Sequence, residues 1–184
     1  LAQVGLWLGL LGAPLVATRR KGGGLIRDLG LRVRWEDGWK GGLIGVVVQF
    51  PILPLLYWPI LEALGKSSSD LEGPARGLTD RATDPLGVVL LILIVGVGAP
   101  IIEEIFYRGL LQRSLLKRGL PVWAAIAVTS VVFGMSHFQL LQLPGLAFAG
   151  AVFGLLAQRA GRLGPAITAH ITFNMVTVIA LLVA

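Results

Sequence analysis

Long runs of apolar residues, separated by short polar stretches, set the pattern of this chain. Six segments are predominantly apolar: 1–17, 41–64, 86–107, 121–138, 145–157 and 165–184. A helix needs about 20 mostly apolar residues to cross a bilayer, so these segments predict a polytopic bundle of about six transmembrane helices, an all-α membrane fold. The fifth is short and rich in small residues. Gly145, Ala147, Ala149, Gly150, Ala151 and Gly154 would let neighbouring helices approach closely. Pro51, Pro54 and Pro59 predict a bend in the second segment, because packed spans tolerate proline as a kink. The Gly65–Pro85 stretch carries Ser67, Ser68, Ser69, Gly73 and Pro74 and predicts a flexible loop.

Composition strengthens the membrane reading. Hydrophobic residues make up 55% of the chain and charged residues 14%, against about 25% charged in soluble domains. The mean hydropathy is +0.80. Disorder is excluded by the same figures. There is no cysteine, which removes disulfides, cysteine nucleophiles and thiolate metal sites. The chain starts at Leu1 and is read as a fragment or processed form.

The net charge of +6 does not point to nucleic acid. All 16 Lys and Arg fall in four clusters between apolar runs: seven in Arg19–Lys40, three in Lys66–Arg81, four in Arg108–Arg118, and Arg159 with Arg162. Basic residues are retained on the cytoplasmic side of membrane proteins. The 18–40 and 108–118 loops and the Arg159/Arg162 turn are therefore expected inside. The 65–85 loop, with four acids against three bases, and the 139–144 turn are expected outside. The lipid bilayer is the expected partner, in a multi-pass plasma-membrane protein, and no nucleic acid is expected. Residues 1–85 are read as N-terminal spans and loops, and 86–184 as the catalytic core of one integral membrane domain.

Candidate chemistry emerges by subtraction. After Asp84 only two acids remain, Glu103 and Glu104, and the chain has only two histidines, His137 and His170. All four lie in apolar segments, where ionisable groups are costly and mark functional sites by default. Glu104 and Arg108 stand at i, i+4, as do His170 and Asn174, so each pair shares a helix face. Glu103 points about 100° away from Glu104. With Tyr107 rather than a cation at i+4, it is expected to be the more desolvated of the two. Counting about 1.5 Å per residue from Arg113 puts the glutamates about 14 Å inside, with His137 and His170 at comparable depth.

Two carboxylates and two imidazoles in a poorly solvated site can perform acid–base work on water, while His and Asn can donate to an oxyanion. An aspartyl mechanism lacks its membrane Asp pair. The zinc signature H-E-x-x-H is absent, although zinc held by two His and a Glu stays chemically possible. Ser136 adjoins His137, an arrangement that gives no nucleophile–base geometry.

Glu103-Glu104-Ile105-Phe106-Tyr107-Arg108, Phe133-Gly134-Met135-Ser136-His137 and His170-Ile171-Thr172-Phe173-Asn174 read, in order, as E-E-x-x-x-R, F-x-x-x-H and H-x-x-x-N. Together they resemble the three motifs of the CAAX protease and bacteriocin-processing (ABI) family, which includes the type II CAAX prenyl endopeptidases. That resemblance covers roughly residues 86–184. It implies a glutamate-dependent intramembrane endopeptidase with no metal and no cofactor. Glu103 would be the general base, His137 would hold the water, Glu104 would orient the site with Arg108, and His170 and Asn174 would form the oxyanion hole. The implied substrate is a peptide or protein at the membrane, prenylated or bacteriocin-like, and short loops resemble bacterial members. Two further readings stay open: a non-catalytic scaffold or bacteriocin self-immunity protein built on the same helices, and a small transporter using Glu103, Glu104 and His137 as a proton relay, which would lack the internal repeat common in such folds.

Overall fold

The computed structural model describes residues 2–183, so the expected span limits at Leu1 and Ala184 lie outside the described residues. Among the described residues every regular element is helical. We number eight continuous helices: α1 Ala2–Lys21, α2 Leu25–Leu29, α3 Trp35–Leu64, α4 Ser68–Thr79, α5 Pro85–Lys117, α6 Val122–Met135, α7 Leu143–Ala160 and α8 Gly164–Val183. Helices α3, α5, α7 and α8 are long and apolar enough to cross a membrane. This is a multi-pass helical bundle. At 14 residues, α6 is about 21 Å long, shorter than the expected 121–138 segment.

Two expectations are overturned. Residues 108–117 are not a loop but the last turns of α5. The basic residues alone suggested a loop, yet Arg108 is 1% exposed, because Glu104 neutralises it inside the bundle. The 65–85 stretch is not a loop either, since α4 occupies 12 residues of it. Asp70 accepts hydrogen bonds from the Ser67 N–H at 2.8 Å and Ser67 Oγ at 3.1 Å, which caps the helix start. Glu72 and Arg76 pair at i, i+4. Gln142 Nε2 reaches from the α6–α7 turn to the Leu71 carbonyl at 2.6 Å. These bonds, within α4 and from the α6–α7 turn, outweigh the helix-breaking effect of Gly73 and Pro74.

The prolines do not end α3. Residues 48–52, which contain Pro51, widen into a π-helical turn without ending the rod. The core joins both halves of the chain: Leu29 and Val48 pack with Ile105, Phe153, Leu163, Ala166 and Phe173. Helices α3 and α8 pack closely because Gly41 and Gly45 lie directly against the α8 backbone at Pro165 and Ala169. At its N-terminal start, α3 is tied to the α7–α8 turn. Arg162 pairs with Asp37, and Thr168 Oγ1 donates to the Asp37 carbonyl at 2.7 Å. These ties fix the register of α8, and thereby the height of His170.

Candidate active site

The middle of α5 is not a uniform α-helix. Residues 92–98 form π-helical turns, in which the Ala99 N–H donates to the Ile94 carbonyl, five residues back. In that register the donor for the Val95 carbonyl would be residue 100, which is Pro100 and has no N–H. Asn174 takes that place, its Nδ2 donating to the Val95 carbonyl at 2.9 Å. A proline in α5 and an amide in α8 therefore complement one another, one turn before Glu103 and Glu104. π-bulges of this kind often stand at functional sites.

Glu104 is fully buried, and together with Arg108 it joins three helices. Its Oε1 accepts from Arg108 Nη1 at 2.7 Å and from His170 Nδ1 at 2.9 Å. Arg108 Nη2 also donates to the Gly150 carbonyl of α7 at 2.9 Å. Its guanidinium lies 4.7 Å from the centre of the Phe133 ring and 5.6 Å from that of Phe153, within cation–π range. A charge pair buried this completely is held by hydrogen bonds and aromatic faces rather than by solvent.

Glycine makes the approach of α7 possible. A Cβ at Gly150 would stand 3.2 Å from Arg108 Nη2 and 3.2 Å from the Phe133 ring. One turn further, Gln112 Nε2 donates to the Gly154 carbonyl at 3.1 Å. The small residues of the fifth segment thus serve the close approach expected of them, as docking points for two polar side chains of α5.

The His170 ring stacks on Phe153 at 4.7 Å and meets the edge of Phe133 at 5.6 Å. Because Nδ1 donates to Glu104, Nε2 is the free ring nitrogen, 3.8 Å from Glu103 Oε2. That distance is beyond a direct hydrogen bond. Glu103 is therefore the less committed carboxylate, and its side chain is 12% exposed against 0% for Glu104. The expectation that Glu103 would be the more desolvated is reversed. The Arg108 pair that neutralises Glu104 also draws it into the centre of the bundle.

His137 sits just past the end of α6. Helix ends leave carbonyls without backbone donors, and the Phe133 carbonyl there accepts from His137 Nδ1 at 2.8 Å and from Ser136 Oγ at 2.7 Å. The Nδ1 hydrogen is thereby fixed and Nε2 is left available. The Phe133 ring lies between the two histidines, 4.9 Å from His137 and 5.6 Å from His170. Among the described residues His137 makes no ion pair with Glu103 or Glu104. The depth agreement brings His170 directly onto the glutamates and brings His137 only to the far side of Phe133. Ser136 also receives the Tyr107 hydroxyl at 2.8 Å, so its oxygen is engaged away from either imidazole.

Sequence reasoning missed Tyr107, Phe153 and Gln112. Phe153 and Gln112 stand outside the motif positions and become visible only through packing, whereas Tyr107, inside E-E-x-x-x-R, was read only as the absence of a cation. Among the described residues no three His, Asp or Glu side chains converge as a group of metal ligands.

Residues 85–176 match the sequence model of a family described as type II CAAX prenyl endopeptidase Rce1-like. That range holds every one of the residues just described on α5, α6 and α7, and α8 as far as Asn174. A protein of Bacillus subtilis (strain 168), named "Putative membrane peptidase YdiL", is 32% identical over 92 residues. The match covers 50% of this chain and 37% of that relative, so the chain spans well under half of the relative's length. No solved structure matches this chain.

Proposed function

This chain belongs to the type II CAAX prenyl endopeptidase Rce1-like family, and from that premise we propose that it is a metal-independent glutamyl intramembrane endopeptidase. The observation that carries the reading is the asymmetry of the two glutamates. Glu104 Oε1 is occupied by Arg108 and His170, whereas Glu103 is partly exposed and holds no direct hydrogen bond to either. A general base must have an oxygen that a water can reach. The second oxygen of Glu104, Oε2, is unpaired but sealed in the bundle, whereas Glu103 is partly exposed.

In this proposal Glu103 removes a proton from a water as the water oxygen attacks the scissile carbonyl. The proton then passes to the departing amine. His137, with Nδ1 held by the Phe133 carbonyl, offers Nε2 to position the water. Glu104 keeps His170 oriented, and an imidazolium there would present Nε2–H to the developing oxyanion. Asn174 has a second Nδ2 hydrogen beyond the one given to Val95. The substrate is a peptide bond in a membrane-associated protein, prenylated or bacteriocin-like. The setting is a bacterial cytoplasmic membrane, with the basic 19–40 segment and the α5–α6 turn on the cytoplasmic side.

The test compares membrane proteomes made with the parent protein and with Glu103→Gln. Peptide termini that vanish in the variant, at unchanged melting temperature, are expected. Treatment with a chelator should leave those termini in place. Retained turnover in Glu103→Gln would refute the base assignment and favour the scaffold reading.

A further inference from the structure

Away from the glutamates, a cavity of about 310 Å³ opens between the end of α1, α2 and the last turns of α5. Three cations line it, Arg20, Arg113 and Lys117, against one acid, Asp28. Asp28 is already engaged, with Oδ2 accepting from the Gly24 N–H at 3.0 Å. Arg113 is half-buried and fixed, with Nη2 donating to the Gly161 carbonyl at 2.9 Å. Arg20 and Lys117 are exposed and free to turn inward. The floor is apolar, made by residues such as Leu29 and Leu110. The volume is at the lower end of ligand-sized pockets.

The placement matters as much as the charge. The cavity stands where the apolar run of α1 gives way to Arg19 and Arg20, at the level where headgroups meet a membrane protein. A cationic rim over an apolar floor suits an amphiphile better than a free ion. Basic pockets between helices on this side of a membrane hold anionic headgroups. We propose that this cavity binds the phosphate of an anionic phospholipid, with Arg20, Arg113 and Lys117 as its cationic ligands. Gly109, the residue after Arg108, also lines the cavity. A bound headgroup therefore braces α1 and α2 against the part of α5 that carries the buried Arg108–Glu104 pair.

The test is native mass spectrometry of the purified full chain with phosphatidylglycerol, phosphatidylcholine or inorganic phosphate. It needs no proteolytic readout, so its outcome is independent of the peptidase reading. Phosphatidylglycerol should be retained in preference to phosphatidylcholine. Arg20→Gln with Lys117→Gln should weaken that retention roughly thirtyfold, about 1 kcal/mol for each cation. A melting temperature in phosphatidylcholine equal to the parent's establishes that the double variant is folded. If it is lower, Lys117→Gln alone is read instead, with an expected loss of roughly fivefold. Equal retention of the two lipids, or unchanged phosphatidylglycerol binding by the folded variant, overturns the site. Displacement of the lipid by inorganic phosphate overturns the lipid assignment in favour of a free-phosphate site.

Discussion

Glu104→Gln removes the charge that answers Arg108 while leaving the guanidinium in place. Both side chains are 0% exposed, so the cation cannot turn to water. Its remaining partners carry no charge: the amide oxygen left at position 104, the Gly150 carbonyl at 2.9 Å and the aromatic faces of Phe133 and Phe153. Breaking one side of a fully buried pair typically costs about 3–5 kcal/mol. For a chain of this length each kcal/mol moves the melting temperature by about 2–4 °C, so the expected loss is about 6–20 °C. Arg108→Gln should behave similarly, because it strands the Glu104 carboxylate with only His170. The informative variant is the double one. Glu104→Gln with Arg108→Gln places two neutral amides at i, i+4, with no buried charge left to solvate. It should melt above either single variant, with a coupling of about 0.5–3 kcal/mol. The assay is thermal unfolding of detergent-purified protein for the parent, the two single variants and the double. A Glu104→Gln shift of under about 2 °C, well below the range expected from a buried pair, would refute the reasoning. So would a double variant whose loss equals the sum of the singles.

Three further outcomes are expected. Gly45→Ala would drive a Cβ into the Ala169 carbonyl and to 3.0 Å from the Phe173 N–H. That backbone clash should destabilise by about 1–3 kcal/mol and displace the helix carrying His170. Gly38→Ala, in the exposed part of α3 with nothing within 4 Å, should hold or raise the melting temperature, since alanine favours a helix interior over glycine by about 0.5–1 kcal/mol. Asn174→Ala leaves the Val95 carbonyl without its donor and should cost about 1–3 kcal/mol. Adding Pro100→Ala restores an N–H in the π register and should recover stability, so activity still missing from the refolded double variant would mark a direct role for Asn174 in turnover. Hydrogen bonds from Ser67 hold the Asp70 carboxyl below its ordinary value of 3.8. Its cap on α4 is therefore fully present above that pH and is lost as pH falls through the lowered folded value. A carbon-detected titration of Asp70 in the folded protein should give a midpoint below 3.8.

Features governed by neighbours along one helix were legible in the sequence alone. The Glu104–Arg108 pair follows from i, i+4 spacing. The irregular turn of α3 falls at Pro51, one of the prolines the sequence marked, and the membrane class follows from the length of the apolar runs. The close approach of α7 follows from its glycines. The E-E-x-x-x-R, F-x-x-x-H and H-x-x-x-N residues stand out in and beside α5, α6 and α8 because acids and histidines are otherwise absent from those helices. Tertiary structure decided what each of those groups touches. Local pairing could not reveal that Arg108 lies inside the bundle, because the Gly150 carbonyl and the Phe133 face that receive it come from other helices. Spacing on α8 gave His170 and Asn174 one face, yet His170 meets Glu104 while Asn174 meets a carbonyl of α5 that Pro100 cannot serve. Which glutamate stays accessible, and that Phe133 stands between the two histidines, depend on the relative rotation and height of packed helices. Those are set by glycine contacts and interhelical ties such as Arg162–Asp37, between residues far apart in the chain, and the periodicity of a single helix carries no information about them.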